Sequence, residues 1–258
     1  MSNVQIIIPM SGHGKRFQRA GYTIPKPLIK VGGKPIIAHI IDMFPNEVDF
    51  IFICNKDHLD NKKIKMNYQI NKYCPTAKII SIESHNKGPV YAVKKAFKYI
   101  SNNKQIILNY CDFTCYWDWN HFKKNIISNK SIYGAIPCYK GFHPHSLGKT
   151  NYAYVKENNF LLQNIQEKKP FTNNKMLEFA SSGTYYFKNG KLMKEALTNL
   201  IKNKNSINGE YYVSLAYKEK PLFKKRILIY PLQHFMQWGT PEDLKEYKKW
   251  DSIFKKLL

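Results

Sequence analysis

The chain opens with a short apolar run, Val4–Ile8, and its first half then alternates two patterns. Apolar runs at Phe50–Cys54, Ala77–Ser81, Gln105–Leu108 and Ser131–Pro137 have the length and β-branched content of buried strands. Between them, Pro35–Met43, Pro89–Tyr99 and Trp117–Ile127 carry apolar residues at helical spacing. Strands alternating with helices of about ten residues predict βαβ units. The expected fold is α/β and Rossmann-like, with a mixed, mainly parallel sheet flanked by helices. The second half is less regular. Tyr152–Val155, Leu161–Gln166 and Phe179–Phe187 read as strands. Gly190–Lys202, Glu210–Lys218 and Pro241–Phe254 read as helices, the last opened by Thr240 as N-cap with Pro241 at the first helical position. Cys138–Thr150, rich in Gly, His, Pro and Lys, reads as a loop near the site.

Composition narrows this picture. The chain has 258 residues, 43% hydrophobic and 23% charged, which is globular rather than disordered. No apolar run approaches the roughly 18 residues of a membrane helix. The N-terminus lacks the basic and long apolar regions of a signal peptide. The five cysteines are irregularly spaced, as expected of a reduced, cytoplasmic protein. No hexapeptide repeat is present, so no β-helix tail is expected. The net charge of +23 brings nucleic acid to mind. The lysines, however, are spread along the whole chain, with no arginine-rich arm, and Lys, Asn and Ile are all abundant, as in AT-rich genomes. Most of this charge reads as solvated surface, and the rest as attraction for a polyanion such as a nucleoside triphosphate.

Candidate chemistry starts directly after the first strand, at Pro9-Met10-Ser11-Gly12-His13-Gly14-Lys15-Arg16-Phe17. Gly12 and Gly14 permit close backbone approach and positive φ. Their amides, at the mouth of a following helix, would cradle an anion. Arg16 adds a cation with bidentate phosphate geometry. Ten residues on, Pro25-Lys26-Pro27-Leu28 holds Lys26 between two prolines that stiffen its loop. The glycines match neither the dinucleotide fingerprint nor the Walker spacing.

With these motifs the chain resembles the sugar-phosphate nucleotidyltransferase (NTP transferase) family. The resemblance extends through Gly33-Lys34-Pro35-Ile36, Asn109-Tyr110-Cys111-Asp112, Gln166-Glu167-Lys168-Lys169-Pro170, Ser182-Gly183-Thr184-Tyr185-Tyr186-Phe187, Asn208-Gly209-Glu210-Tyr211-Tyr212-Val213 and Gly239-Thr240-Pro241-Glu242-Asp243-Leu244. It implies one domain over 1–258, with 1–137 mainly binding nucleotide and 138–258 mainly binding the acceptor. It implies transfer of NMP from an NTP to a small phosphorylated acceptor, with Mg²⁺ and release of pyrophosphate. Gly12, Gly14 and Arg16 would hold the triphosphate, with Met10, Ser11 and Lys15 also binding the nucleotide, and Lys26 would contact the α-phosphate and the acceptor phosphate. Asp112 would bind the metal. A second carboxylate usual in the family is replaced here by Gln237, which leaves either its carbonyl or the phosphates to complete the shell.

The resemblance also places Glu83–Val90 in the base-reading region, with Gly88 and Pro89 under the base. Ionised Glu83 accepts hydrogen bonds only, which suits the cytosine amino group or the N3–H of uracil or thymine. Glu167, Lys168 and Lys169 align with the acceptor-contacting Glu-Lys-Pro element; the extra lysine leaves open which of the two meets the acceptor. Glu210 would contact acceptor or metal, or cap a helix. The overall pattern looks closest to short members of surface-polysaccharide clusters, among them cytidylyltransferases of the capsule phosphoramidate pathway. That favours CTP, with phosphoglutamine as one acceptor; UTP or dTTP with a sugar 1-phosphate is the alternative.

Other features read as structural. Cys111 and Cys115 lack a second zinc-spaced pair. His143 and His145 read as loop residues, or as acceptor contacts. Trp117 and Trp119 read as core. A glycosyltransferase would show a D-x-D motif, which Asp112-Phe113-Thr114 lacks, and a nucleic-acid-binding protein would cluster its basic residues.

Overall fold

The computed structural model describes residues 3–143 and 152–257. In chain order its strands are β1 (Val4–Met10), β2 (Lys30–Val31), β3 (Lys34–Pro35), β4 (Phe50–Asn55), β5 (Lys78–Ile82), β6 (Gln105–Asn109) and β7 (Phe113–Tyr116), then β8 (Gly134–Tyr139), β9 (Ala153–Asn158), β10 (Leu161–Glu167), β11 (Phe179–Ser181), β12 (Thr184–Phe187), β13 (Ile227–Pro231) and β14 (His234–Gln237). The α-helices are α1 (Lys15–Arg19), α2 (Ile36–Asp42), α3 (Lys56–Asp60), α4 (Met66–Tyr73), α5 (Gly88–Lys95), α6 (Trp119–Phe122), α7 (Gly190–Lys202) and α8 (Pro241–Leu257).

Ten strands form one sheet in the order β11-β9-β10-β13-β8-β12-β6-β1-β4-β5. Every residue of β1 is buried. Ile6 and Ile8 join the apolar cluster on one face and Ile7 the cluster on the other, so an unbroken apolar run sits in the sheet centre, covered on both sides. The β4–β5, β1–β4 and β1–β6 pairs are parallel, as the strand–helix alternation predicts. Antiparallel pairing enters with β12, which lies between β6 and β8. A strand from the second half is thus built into the sheet of the first, and the halves share one framework. The parallel character belongs to the first half; past β12 only β8–β13 is parallel.

Several elements differ from expectation. The predicted strand Phe179–Phe187 breaks into β11 and β12. Gly183 has φ of +100° and lies against the Tyr110 ring, where a Cβ would be 3.1 Å from Tyr110 and Phe113 carbons. The predicted helix Glu210–Lys218 is a 3₁₀ stretch from Val213 onward. Residues 210–212 are held open because the Tyr211 amide donates to the Lys87 carbonyl and its own carbonyl accepts from Val90 N–H. The Trp117–Ile127 helix narrows to α6 followed by a π-helical turn, with Asp118 as its side-chain cap. Strand β13 was not expected, and the short β7–β14 pair adds a small second sheet beside the site. Trp117 and Trp119 are buried as anticipated, and their indole N–H groups donate to the Met43 carbonyl and the Glu47 carboxylate.

Candidate active site

Strand β1 has β4 on one side and β6 on the other, so the chain leaves it in opposite directions. Loops that follow strands at such a switch point diverge and leave a crevice. A cavity of about 490 Å³ opens there, lined by residues 9–17 after β1 and 110–113 after β6. Met10, Ser11, Gly12, Gly14, Lys15 and Arg16 all line it. Gly14 has a φ of +66°. The helix behind it has only five residues, so the anion cradle is the loop itself, with little helix dipole to support it. Arg16 and Lys15 are solvent-exposed at the mouth.

Lys26 occupies a 3₁₀ turn framed by Pro25 and Pro27. Its Nζ donates to Asp112 Oδ2 at 2.8 Å and to the Gly239 carbonyl at 3.3 Å, and lies 5.6 Å from the Phe17 ring centre. Proline stiffness and the ion pair together aim the ammonium at the cavity floor. Asp112 is held from the other side, where its carbonyl accepts from Trp238 N–H. Gln237, on β14, is only 5% exposed, lines the same cavity, and neither amide atom has a hydrogen-bond partner. A buried amide without partners is costly, commonly about 1–3 kcal/mol, and points to a ligand that completes it.

These groups decide what metal the site fits. Among the described residues no cluster of three or more His, Cys, Asp or Glu is placed to hold an ion. Magnesium needs only one or two protein carboxylates when phosphates and waters supply the rest. A hard carboxylate from Asp112 and an orphaned amide from Gln237 fit magnesium arriving with a triphosphate. They are a poor set for zinc, which takes sulfur and imidazole ligands in fours: Cys111 lines the cavity but Cys115 does not.

At the base end the structure corrects one expectation. The Glu83 side chain is 78% exposed and pairs with Lys56 at 3.0 Å, outside the cavity lining. The chain turns after β5, and this side chain leaves on the solvent side. His85, Asn86, Gly88 and Pro89 line the cavity instead. His85 Nδ1 accepts from the Lys87 amide at 3.2 Å and its Nε2 lies 3.4 Å from Ser11 Oγ, tying the base loop to the glycine loop. Burial, then the charges of His13, Lys95 and Lys87, hold the His85 imidazole below its usual range. Gly88 has φ of +78°, and a Cβ there would stand 2.8 Å from the Tyr211 backbone N and O, so no side chain fits. Replacing Glu83 with alanine should leave kcat/KM for the nucleotide within about twofold, since an exposed ion pair contributes little. A drop of tenfold or more in steady-state assays would restore it to the base site.

At the opposite end, Glu167, Lys168 and Glu210 line the cavity with Tyr212. Lys168 pairs with Glu210 at 3.8 Å and hydrogen-bonds the Tyr212 hydroxyl, which itself donates to Glu210. Lys168 adopts φ of +58°, which turns the chain so that Lys169 faces solvent outside the cavity. The doubled lysine therefore presents one cation to the site. Burial pushes the Glu167 carboxyl up to about 7, against a Ser214 hydroxyl donated at 2.5 Å and the Lys168 charge. A raised acid keeps its proton in the folded state after the unfolded chain has lost it. The contribution of Glu167 to folding stability should thus fall as pH rises from 4.5 to about 7 and then level off, read as the difference between wild type and Glu167→Gln. Glu167→Gln should remove that fall. Thermal midpoints that track wild type across this window would show that Glu167 ionises normally.

His143 Nε2 lies 3.0 Å from the Phe235 carbonyl and its ring stands against Tyr139 and Phe235. His145, with most of the Gly141–Lys149 loop, lies outside the described residues. No individual role was expected for His13, His85, Asn86, Tyr110, Tyr152, Tyr212 or Asp243, all of which line the cavity. Tyr110, Tyr212 and Asp243 stand inside motifs that carry the family resemblance, and His85 and Asn86 inside the Glu83–Val90 segment placed at the base.

The crevice at the switch point, the glycine loop and the lysine–aspartate pair define a nucleotide-handling α/β protein. The nucleotidyl transferase family model matches residues 5–231, and the chain belongs to that family. Bifunctional protein GlmU of Buchnera aphidicola is 29% identical over 215 residues, 82% of this chain and 42% of that protein. A 2-C-methyl-D-erythritol 4-phosphate cytidylyltransferase of Halalkalibacterium halodurans is 32% identical over 95 residues, 35% of this chain and 39% of that protein. The chain thus spans about two-fifths of the length of these curated relatives. In fold it is similar to a nucleoside-diphosphate-sugar pyrophosphorylase from Vibrio cholerae, with a TM-score of 0.74, 18% identity, and coverage of 94% of this chain and 99% of the other. All five cysteines are free thiols. No helix among the described residues is long and apolar enough to cross a membrane.

Proposed function

We propose that this protein transfers an NMP group from a nucleoside triphosphate to a small phosphorylated acceptor and releases pyrophosphate. The observation that carries this reading is the Lys26–Asp112 pair, 2.8 Å long, on the floor of a cavity with a cationic glycine loop at one end and a mixed-charge pocket at the other. Arg16 and Lys15 would hold the β- and γ-phosphates. The acceptor phosphate oxygen attacks the α-phosphorus, the bond to the β-phosphate oxygen breaks, and pyrophosphate leaves with the electron pair. No protein nucleophile is needed, so the protein contributes positioning and fixed positive charge. Lys26 would trade Asp112 for the α-phosphate and the entering acceptor oxygen. Asp112 and Gln237 would hold Mg²⁺, which when bound neutralises charge on the triphosphate.

The preferred donor in this reading is CTP. Its support is the likeness to a cytidylyltransferase, since Glu83 lies off the cavity. Lys168 beside Glu167 and Glu210 gives the acceptor end groups of both signs, which suits a phosphate that also bears amino and carboxylate groups, such as phosphoglutamine. The protein would work in the cytoplasm, in surface or capsular polysaccharide synthesis. The test is a matrix of CTP, UTP, dTTP, ATP and GTP against phosphoglutamine and sugar 1-phosphates, read by pyrophosphate release. CTP with phosphoglutamine should give the highest kcat/KM. Higher turnover with UTP or dTTP and a hexose 1-phosphate would reject the donor and acceptor and keep nucleotidyl transfer.

A further inference from the structure

Asp243 lines the cavity together with Asp112, and the two carboxylates approach the same backbone position. Gly239 shows this directly. A Cβ built there would lie 3.5 Å from Asp112 Oδ2 and 3.7 Å from Asp243 Oδ2, so both carboxylates converge over one backbone position. A second observation is independent of both acids. The buried, partnerless amide of Gln237 lines the same space. Lys26 pairs with Asp112 but not with Asp243, and the Gln237 amide beside them has no partner, so a cation entering this space would find a second carboxylate and an amide oxygen still to bind.

Resting on the metal-dependent reading above, we propose that Asp243 supplies the second carboxylate for the divalent cation, acting with Asp112 and the Gln237 carbonyl. The side chain is free to do so. Its Oδ2 accepts from the Thr240 amide at 3.0 Å while its own amide donates to Thr240 Oγ1 at 3.1 Å, a reciprocal cap at the start of α8. Its Oδ1 makes no hydrogen bond to a described residue, and the cap fixes the carboxylate without using it up. The free protein has Lys26 on Asp112, and the arriving ion replaces that ammonium as the partner of the acids.

Direct Mn²⁺ binding tests this without turnover. Free Mn²⁺ is measured by electron paramagnetic resonance while it is titrated with the protein, with and without the α,β-methylene analogue of CTP. Wild type should bind Mn²⁺ in the presence of the analogue. Asp243→Asn, which keeps an oxygen for the cap, should weaken that binding at least about tenfold. Thr240→Ala breaks the cap but leaves the carboxylate, and should bind within about threefold of wild type. Unchanged Mn²⁺ affinity in Asp243→Asn overturns the proposal, as does an equal loss in both variants, which would mean that Asp243 acts only through α8. Failure of wild type to bind Mn²⁺ under any of these conditions would instead bring down the metal-dependent reading itself.

Discussion

Lys26→Ala should lower kcat/KM at least about 100-fold while the protein stays folded. A fixed charge that meets the transition state and has no substitute contributes roughly 3 kcal/mol. Lys26 has that character: it stands between two prolines, is 16% exposed, and is the cation on the cavity floor, whereas Arg16 and Lys15 are at the mouth. Its ion pair with Asp112 is partly open to water, so losing it costs little stability. Lys26→Arg should recover only part of the loss, because the planar guanidinium cannot reproduce the short contacts to Asp112 Oδ2 and the Gly239 carbonyl. Steady-state rates beside circular dichroism decide the matter. A folded alanine variant within fivefold of wild type would remove Lys26 from the reaction.

Asp112→Asn should be nearly inactive, with the loss in kcat rather than in KM for the acceptor. The change keeps size and shape but removes the negative charge that Lys26 pairs with and that a hard cation requires. Raising Mg²⁺ should recover part of the rate, because weakened metal binding is overcome by mass action. Gln237→Ala should lose less, since it contributes a neutral oxygen. Full activity of Asp112→Asn at low millimolar Mg²⁺ would remove the Asp112 charge from both metal binding and the pairing with Lys26. Lys26 and Asp112 touch one another, so the combined effect of Lys26→Ala and Asp112→Asn should fall short of the product of the single ones.

Much of this was legible in the sequence because it is local. The run Val4–Ile8 followed by a glycine loop and a lysine between prolines fixes the strand, the turn and the cation without any distant contact. The helix Gly190–Lys202 has the same bounds in both readings, with Asn189 as its cap. What failed depends on the other half of the chain. Glu83 stands in the region the family uses for the base, but its side chain leaves on the Lys56 side of the turn. Residues 210–212 have helical composition, yet their backbone is hydrogen-bonded to the loop around Gly88. Lys168 and Lys169 were indistinguishable in sequence, and a single positive φ separates them. Asp243 carried no role in the sequence beyond its place in a family motif; it caps the start of α8, and its nearness to Asp112 depends on how α8 meets the small β7–β14 sheet.

The central claim, nucleotidyl rather than phosphoryl transfer, is tested most directly by ³¹P NMR of the products. Wild-type protein is incubated with CTP, Mg²⁺ and the phosphorylated acceptor. Equal growth of free pyrophosphate and of a new P–O–P resonance pair joining CMP to the acceptor is the expected result. Appearance of CDP with inorganic phosphate or a diphosphorylated acceptor, without pyrophosphate, would contradict it.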